Sequence, residues 1–520
     1  MKISPKNILI AIISFFSLYF LLLIFINRNP PAWDEAWYLS ESINLYRSFT
    51  NGGILHFFKV YIHAFGGEKA PLISVLPLPL YLFLGINYIS AMLVNIILLI
   101  VVSFITYSFT KLLDKNNNIS ALFAVVIVNT MPLAHEYIRM FRVEYALSGF
   151  SLIWVYYLVK SESFTNKSYV VQLGIWLGLG LLMKSIFPLY IIGAIGFVLF
   201  HLLRLANLNK IKEAIKQLFF IGIIGLLIAN TWYAFNLKPM LGYALKASFG
   251  NVSHWYDVGG SNIFQTLYLF ISQIINHGIS IFYSLIFVLC LVVSLVRKVN
   301  IFKGKGFLLT WILFSIAILF ISPNKGIQFT LPLLLPFAIL LATMLYDIFR
   351  RWGVYILGIP MVFFVICPVM NVPLAQNIFQ PPRIHTEDNV PTRQIVNLIS
   401  REEGRSYLVA CVVDQDFFND FTFNYFATLN YSPYRFIGTY HCGTIVDAVS
   451  LVDHADFVIT KTGFLGPWFS NSHNDRLRDI AMNNSDFFKE VVRIKAQDNS
   501  DIIIYRRIGS LSQFPDPNAS

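Results

Sequence analysis

Long apolar runs separated by short polar segments occupy the first 370 residues of the chain. The first run, Asn7 to Ile26, follows Lys2 and Lys6. At about 20 residues it is long enough to span a bilayer, and it is longer than the apolar region of a cleaved signal peptide. About ten further runs follow between Tyr88 and Met370. The pattern predicts an α-helical polytopic membrane protein with about eleven transmembrane helices.

Basic residues concentrate in alternate loops between these runs, for example at 204–216 and 297–305. The positive-inside rule then places the N-terminus in the cytoplasm, and an odd number of spans places the C-terminal part outside. We therefore predict a multi-pass plasma (inner) membrane protein whose first loop and C-terminal part are extracytoplasmic or periplasmic. Only 13% of the residues are charged, which excludes an ordinary cytosolic enzyme. The net charge of +11 is explained by these loops, so we expect membrane lipids as partners and no nucleic acid.

The composition changes after Met370, where prolines mark a linker and short β-rich runs begin to alternate with helical ones. This alternation predicts a small extracytoplasmic α/β domain at the C-terminus. The predicted organisation is a membrane domain over 1–372, with its first extracytoplasmic loop at 27–87, a linker over 373–388 and the α/β domain over 389–520. The predicted strands are Ser406–Val413, Arg435–Gly438, Phe457–Lys461, Phe488–Lys495 and Ile502–Arg507. Whether Cys411 and Cys442 of this domain form a disulfide is left open.

The first outward loop begins with two adjacent carboxylates among aromatic residues. Asp34 and Tyr38 share one face of a predicted amphipathic helix, and Trp33 and Trp37 share another, which suits a membrane interface. Asp34 and Glu35 can supply a general base and a second acid or cation ligand. The alternative is a solvated acidic turn, since carboxylates are favourable at a helix N-terminus.

Several cations lie on the predicted outer face, against the positive-inside trend. A lipid phosphate would explain them, and so would snorkelling to outer head groups. Glu68 and Lys69 could bind an anion or a metal, or form a surface ion pair. Arg142 could form an internal salt bridge with Glu144. The cations are Lys69, Arg139, Arg142, Lys184 and Lys325.

The C-terminal domain carries polar residues in predicted loops, but they follow no metal-ligand spacing and no nucleophile elbow. We interpret the domain as substrate-recognising or structural rather than as a second catalytic centre. The residues concerned are Asp414, Asp416, Asp420, His441, His473 and Asp475.

Taken in order, these motifs resemble the membrane-embedded GT-C glycosyltransferases, in particular the protein O-mannosyltransferase and lipid A aminoarabinose transferase group. The resemblance covers about Asn7 to Met370. In one departure, Gln328-Phe329 stands where the family usually has Arg-Tyr. The matching segments are Asp34-Glu35 with Tyr38, Glu68-Lys69-Ala70-Pro71-Leu72, Arg139 with Arg142, Gly178 to Lys184, Trp232-Tyr233 and Lys325 to Pro332.

The resemblance implies transfer of a sugar from a polyprenyl-phosphate donor to an acceptor hydroxyl on the outer face, with inversion. Asp34 would be the general base, with Glu35 beside it in the catalytic site. The acceptor would be a glycan, a lipid or a protein. A divalent metal cation, if one is used, would bind Asp34, Glu35 and Glu68. The implied donor-phosphate ligands are Lys69, Arg139, Arg142, Lys184 and Lys325, and the implied substrate contacts are Tyr38, Glu68, Trp232, Tyr233, His254 and Trp255.

Three other functions compete with this hypothesis. A lipid-linked sugar transporter would show internal repeats, and the sequence has none that we detect. A polyprenyl-linked glycan polymerase or ligase would place its key residues in a large loop between late spans. In a non-catalytic scaffold, Asp34 and Glu35 would only cap a helix.

Overall fold

The computed structural model describes residues 4–205, 208–370, 373–382, 391–399, 406–467, 473–496 and 498–509. The chain divides into two compact units. The first comprises residues 1–25 and 48–384, and the second comprises residues 26–47 and 385–520. The predicted linker at 373–388 and the predicted domain start at 389 lie partly outside the described residues.

The first unit is helical. Helix α2 begins in the second unit and ends in the first, and it is interrupted at Gly53, whose φ of +69° is the left-handed conformation that glycine tolerates. The helices are α1 Pro5–Ile26, α2 Asp34–His63, α3 Leu72–Val75, α4 Leu78–Leu84, α5 Tyr88–Leu113, α6 Asn118–Thr130, α7 Pro132–Ile138, α8 Val143–Lys160, α9 Lys167–Met183, α10 Phe187–Arg204, α11 Leu208–Phe249, α12 Ile263–Gln273, α13 Ile281–Val296, α14 Gly306–Ile321, α15 Leu331–Phe349, α16 Gly353–Met370 and α17 Pro373–Phe379.

The polytopic helical architecture is confirmed, but the number of eleven spans is not. Among the described residues, five helical segments are long and apolar enough to cross a membrane, or up to seven if each of two bent pairs is one span. The pair α6 and α7 bends by 66° and the segment 263–296 bends by 105°. Helices α9 and α14 are apolar but shorter. Apolar length alone does not show where a helix bends, so the predicted apolar runs do not correspond one to one with straight helices of the described residues.

Helices α9 and α11 pack closely along much of their length. Small residues allow this approach, as they do in other membrane helix pairs. A Cβ added at Gly178 would lie 2.6 Å from the Cβ of Ile228, and one added at Gly174 would lie 2.6 Å from that of Ile224. The glycines of α9 therefore fix the position of its C-terminal end, where Lys184 is the capping residue.

The second unit contains a five-stranded sheet in the order β2-β1-β3-β5-β4. β1 pairs in parallel with β2 and β3, and β5 pairs antiparallel with β3 and β4. The elements are α18 Thr392–Ile399, β1 Leu408–Cys411, α19 Asp420–Leu429, β2 Arg435–Gly438, α20 Ile445–His454, β3 Phe457–Lys461, α21 Asn474–Asn483, β4 Phe488–Lys495 and β5 Asp501–Arg507.

Helices cover both faces of this sheet. Val409 and Cys411 of β1 point into a core with α18 and α19, whereas Ala410 points into a core with α20 and α21. The alternation follows from the two-residue period of a strand. The predicted α/β domain is thus confirmed, and all five strands lie where the sequence predicted them, within a few residues at their ends. Cys411 and Cys442 are free thiols rather than a disulfide.

Candidate active site

The acidic pair of the first loop lies in the first turn of α2, within the second unit. Asp34 is half-buried, while Glu35 and Tyr38 are 6% and 4% exposed. Both carboxylates are placed where the helix dipole favours negative charge. Trp33, directly before them, has a φ of +41°, which is rare for a bulky side chain and marks a constrained backbone.

The residues around this pair are fixed to the C-terminal sheet domain. The Trp33 indole N–H donates to Asp414 Oδ1 at 2.7 Å, and the Trp37 ring stacks on Phe421. Farther along, the Arg47 guanidinium donates to the Thr428 carbonyl. These contacts explain why residues 26–47 group with the C-terminal unit, whereas the sequence analysis placed all of 27–87 with the membrane domain. The membrane-interface position expected for the two tryptophans stays a prediction.

A cation and a carboxylate meet in the helical unit at the start of α8. Lys184 Nζ lies 3.0 Å from Glu144 Oε1, and the two side chains are 25% and 6% exposed. The Lys184 ammonium also lies 4.6 Å from the ring centroid of Phe329. The sequence motifs alone did not pair Lys184 with Glu144, because α9 brings the lysine to the carboxylate through tertiary packing.

Arg142 is the capping residue of α8 and lies two positions before Glu144. Its guanidinium faces the ring of Tyr137 at 5.8 Å, and Glu144 and Glu136 also lie close enough to act electrostatically on that tyrosine. Tyr137 was not among the site residues predicted from the sequence. An aromatic residue in an apolar helix carries no signal that distinguishes it from a core residue.

Arg139 faces another part of the helical unit. Its Nε–H donates to the His135 carbonyl at 3.1 Å, and Tyr19 and Tyr88 lie within its electrostatic reach. His135 Nε2 in turn lies 2.8 Å from the Gln380 carbonyl oxygen. Arg139 is therefore part of the packing between α7 and the end of α17.

Lys325 is 4% exposed and its ammonium donates to the carbonyls of Phe320 and Ser322, near the C-terminal end of α14. Its backbone N–H donates to the Tyr256 carbonyl at 3.2 Å. Burial lowers the pKa of Lys325, and Asp257 raises it in part. These hydrogen bonds satisfy the buried ammonium within the protein. The role of Lys325 as a phosphate ligand stays a prediction.

Lys69 and Glu68 occupy the segment between Gly67 and α3. The Lys69 ammonium lies 5.6 Å from the ring centroid of Tyr243 on α11, and Glu68 is exposed. A Cβ added at Gly67 would lie 2.4 Å from Oδ1 of Asn236 on α11. The absence of a side chain at Gly67 therefore lets this segment pack closely against α11.

The aromatic residues predicted as substrate contacts have differing surroundings. Trp232 is fully buried, and the Tyr233 hydroxyl donates to the Leu181 carbonyl at 2.9 Å. The Tyr233 bond therefore helps to hold α11 against α9. His254 is exposed and Trp255 half-buried, in a short 3-10 turn before Asp257. Among the described residues, no group of three or more His, Cys, Asp or Glu side chains could hold a metal ion.

Comparison with known proteins supports the family resemblance. Residues 69–233 match the model of the dolichyl-phosphate-mannose-protein mannosyltransferase family. This segment contains Lys69, Arg142 and Lys184, but it does not reach Asp34. No curated protein matches the chain significantly.

Solved structures match over nearly the whole chain. ArnT from Cupriavidus metallidurans in the apo state has a TM-score of 0.61 at 11% identity, covering 97% of this chain and 99% of that one. The same protein bound to undecaprenyl phosphate has a TM-score of 0.60 at 13% identity, covering 96% and 98%. The oligosaccharyltransferase AglB from Archaeoglobus fulgidus, in complex with an inhibitory peptide and a dolichol-phosphate, has a TM-score of 0.53 at 9% identity, covering 98% of this chain and 75% of that one. The chain thus has the GT-C fold, and its resemblance to the ArnT and mannosyltransferase group is confirmed.

Proposed function

We propose that this protein is a glycosyltransferase that moves a sugar from a polyprenyl-phosphate donor to an acceptor hydroxyl, on the extracytoplasmic face of the membrane. The observation that carries the proposal is the family match over residues 69–233, within which the structure pairs Lys184 with Glu144 beside Arg142. Structures of the same fold have been solved with undecaprenyl phosphate and with dolichol-phosphate. A lipid phosphate is therefore the donor class that we expect.

Arg142 and Lys184 would stabilise the leaving phosphate. When the bond between the anomeric carbon and the phosphate oxygen breaks, the oxygen keeps the electron pair and the phosphate gains negative charge. Fixed cations lower the energy of that transition state. Glu144 holds the Lys184 ammonium at 3.0 Å while leaving the lysine side chain 25% exposed. Lys69, Arg139 and Lys325 are further candidates for this role, although Arg139 and Lys325 each donate to backbone carbonyls in this structure.

Asp34 would act as the general base. It would take the proton of the acceptor hydroxyl as that oxygen forms a bond to the anomeric carbon, and a single displacement of this kind inverts the anomeric configuration. Asp34 is half-buried in the first turn of α2. Glu35, 6% exposed, would orient the first turn of α2. Whether the reaction needs a divalent cation is tested separately, by activity after treatment with a chelator.

The test uses purified protein in nanodiscs, supplied with a lipid extract of its native cells. Mass spectrometry follows the conversion of polyprenyl-phosphate sugar to polyprenyl phosphate. We expect conversion by the wild type and almost none by Asp34→Asn. The control is Asp479→Asn, which changes an exposed carboxylate on α21. Equal conversion by all three proteins would exclude Asp34 as the base, and no conversion by the wild type would contradict the proposed donor.

A further inference from the structure

The second unit contains a cavity of about 500 Å³ to which the proposed reaction assigns no role. It lies where β1 and β3 end. Lys461 is the last residue of β3, and Asp414 follows β1 by three positions. In open α/β sheets, ligands bind outside the carboxyl ends of the strands. The principal polar and aromatic residues that line the cavity are Trp33, Asp414, Gln415, Asp416, Lys461 and Phe464.

Hydrogen bonds hold the polar groups of this cavity in place. Lys461, 5% exposed, donates to Gln415 Oε1 at 3.1 Å and to Asp498 Oδ2 at 2.6 Å. The Gln415 amide donates to the Phe464 carbonyl at 2.6 Å. Asp414, 3% exposed, accepts from the Trp33 indole. A site built from side chains fixed in this way loses little entropy when a ligand binds.

The charged side chains that line the cavity indicate which class of ligand it can bind. The lining contains three carboxylates, those of Asp414, Asp416 and Asp498, and one ammonium, that of Lys461. The lining is therefore rich in hydrogen-bond acceptors and unfavourable for phosphate. Burial raises the pKa of Asp416, so a ligand that donates hydrogen bonds to this carboxylate would offset its desolvation.

Aromatic side chains supply the apolar part. Phe464 is 62% exposed, and Trp33 and Phe417 also line the cavity. Flat apolar faces beside fixed carboxylates match a sugar ring, which presents C–H groups on its faces and hydroxyl donors at its edge. We propose that this cavity binds a hydroxyl-rich sugar ring of the acceptor, so that the acceptor is a glycan or carries one.

The position of Trp33 links this cavity to the proposed chemistry. Trp33 lines the cavity and directly precedes Asp34, so the two Cα atoms lie only about 3.8 Å apart along the chain. The left-handed backbone at Trp33 lets the indole reach Asp414 while α2 starts at the next residue. An acceptor sugar held here would lie beside the segment that carries the base. This step rests on the proposed function, whereas sugar binding by the cavity does not.

The experiment measures saccharide binding by the full-length protein in nanodiscs with saturation-transfer NMR. The probes are maltose, cellobiose and chitobiose, and inorganic phosphate is the competitor. We expect at least one disaccharide to bind the wild type. Phe464→Ala and Asp416→Asn should each weaken that binding tenfold or more, because they remove an aromatic face and an acceptor from an exposed rim. Val446→Ala, a change at an exposed position on α20, is the matched control and should bind like the wild type.

Absence of binding by all three disaccharides, unchanged binding in Phe464→Ala, or displacement by phosphate would overturn the inference. The lipid-conversion assay separates this failure from failure of the proposed function. Conversion without saccharide binding refutes only the acceptor site. Saccharide binding that depends on Phe464, without any conversion, refutes the transferase and leaves a sugar-binding domain.

Discussion

The starts of α2 and α8 both carry carboxylates in the first helical turn, yet the surrounding structure uses them differently. Glu144 of α8 is 5% exposed and holds the Lys184 ammonium. Asp34 of α2 is half-buried, in a segment fixed to the sheet domain through Trp33 and Trp37. A buried carboxylate that holds a cation is suited to positioning that cation, whereas we propose that the half-buried Asp34 takes the proton of the acceptor. A carboxylate in the first turn of a helix is therefore compatible with either positioning a cation or accepting a proton. The tertiary contacts around each carboxylate distinguish the two roles.

The largest expected effect is on turnover by Asp34→Asn. The amide cannot accept a proton from the acceptor, and general-base catalysis typically contributes 10²- to 10⁴-fold. We expect kcat to fall about a thousandfold with donor binding retained, measured by lipid conversion and by donor titration. Glu35→Gln should lose about tenfold or less. If Glu35→Gln were the more damaging variant, the base would be Glu35.

Lys184→Gln should lower kcat by about a hundredfold, because loss of one charge-stabilising donor typically costs 10²–10³. Glu144→Gln should have a similar effect, since it releases the lysine from its fixed position. If the two residues act as one unit, the double variant will be about as slow as either single variant. Effects that multiply in the double variant would show that Glu144 and Lys184 act independently. Lys212→Gln, at an exposed position on α11, is the control.

Gly178→Val should destabilise the helical unit. The added side chain would meet Ile228 across the α9–α11 contact, and overpacking of this kind typically costs about 1–3 kcal/mol. The matched control is Gly222→Val on α11, where an added Cβ meets nothing within 4 Å. Thermal unfolding in nanodiscs should show a lower Tm for the first variant only. Equal Tm values would contradict close packing of the two helices.

The smallest effect concerns Glu41, seven residues after Asp34, where burial raises the carboxyl pKa to about 7. The folded protein then binds more protons than the unfolded chain between about pH 4.5 and 7, so stability falls as pH rises through this window. Glu41→Gln removes that penalty. We expect its Tm to exceed that of the wild type by about 2–4 °C at pH 8 and to match it at pH 4. A difference that does not change with pH would contradict the buried carboxyl.

Much of the fold could be predicted from local pattern. Strands such as Phe457–Lys461 and Arg435–Gly438 lie at the predicted positions, because short runs rich in β-branched and aromatic residues are a local signal of strands. The apolar runs likewise predict helices. The bend at Ser280 could not be predicted in this way, because the apolar run continues on both sides of it.

The site was less predictable. Lys184 and Glu144 were each identified as charged residues on the outer face, but their pairing depends on how α9 packs against α8. The bond from Trp33 to Asp414 joins residues 381 positions apart, and no spacing rule connects them. For the same reason the sequence did not predict that the Trp33 indole donates a hydrogen bond within the second unit.

The most direct test of the account is native mass spectrometry of the purified wild type, Asp34→Asn and Lys184→Gln. If the protein is a polyprenyl-phosphate sugar transferase, Asp34→Asn should carry more bound donor than the wild type, because donor binds but is not consumed. Lys184→Gln should carry less, because a phosphate ligand is missing. The mass of the bound lipid would also identify the sugar. If all three folded proteins lack polyprenyl-phosphate lipids after incubation with lipid extract, the central claim is wrong.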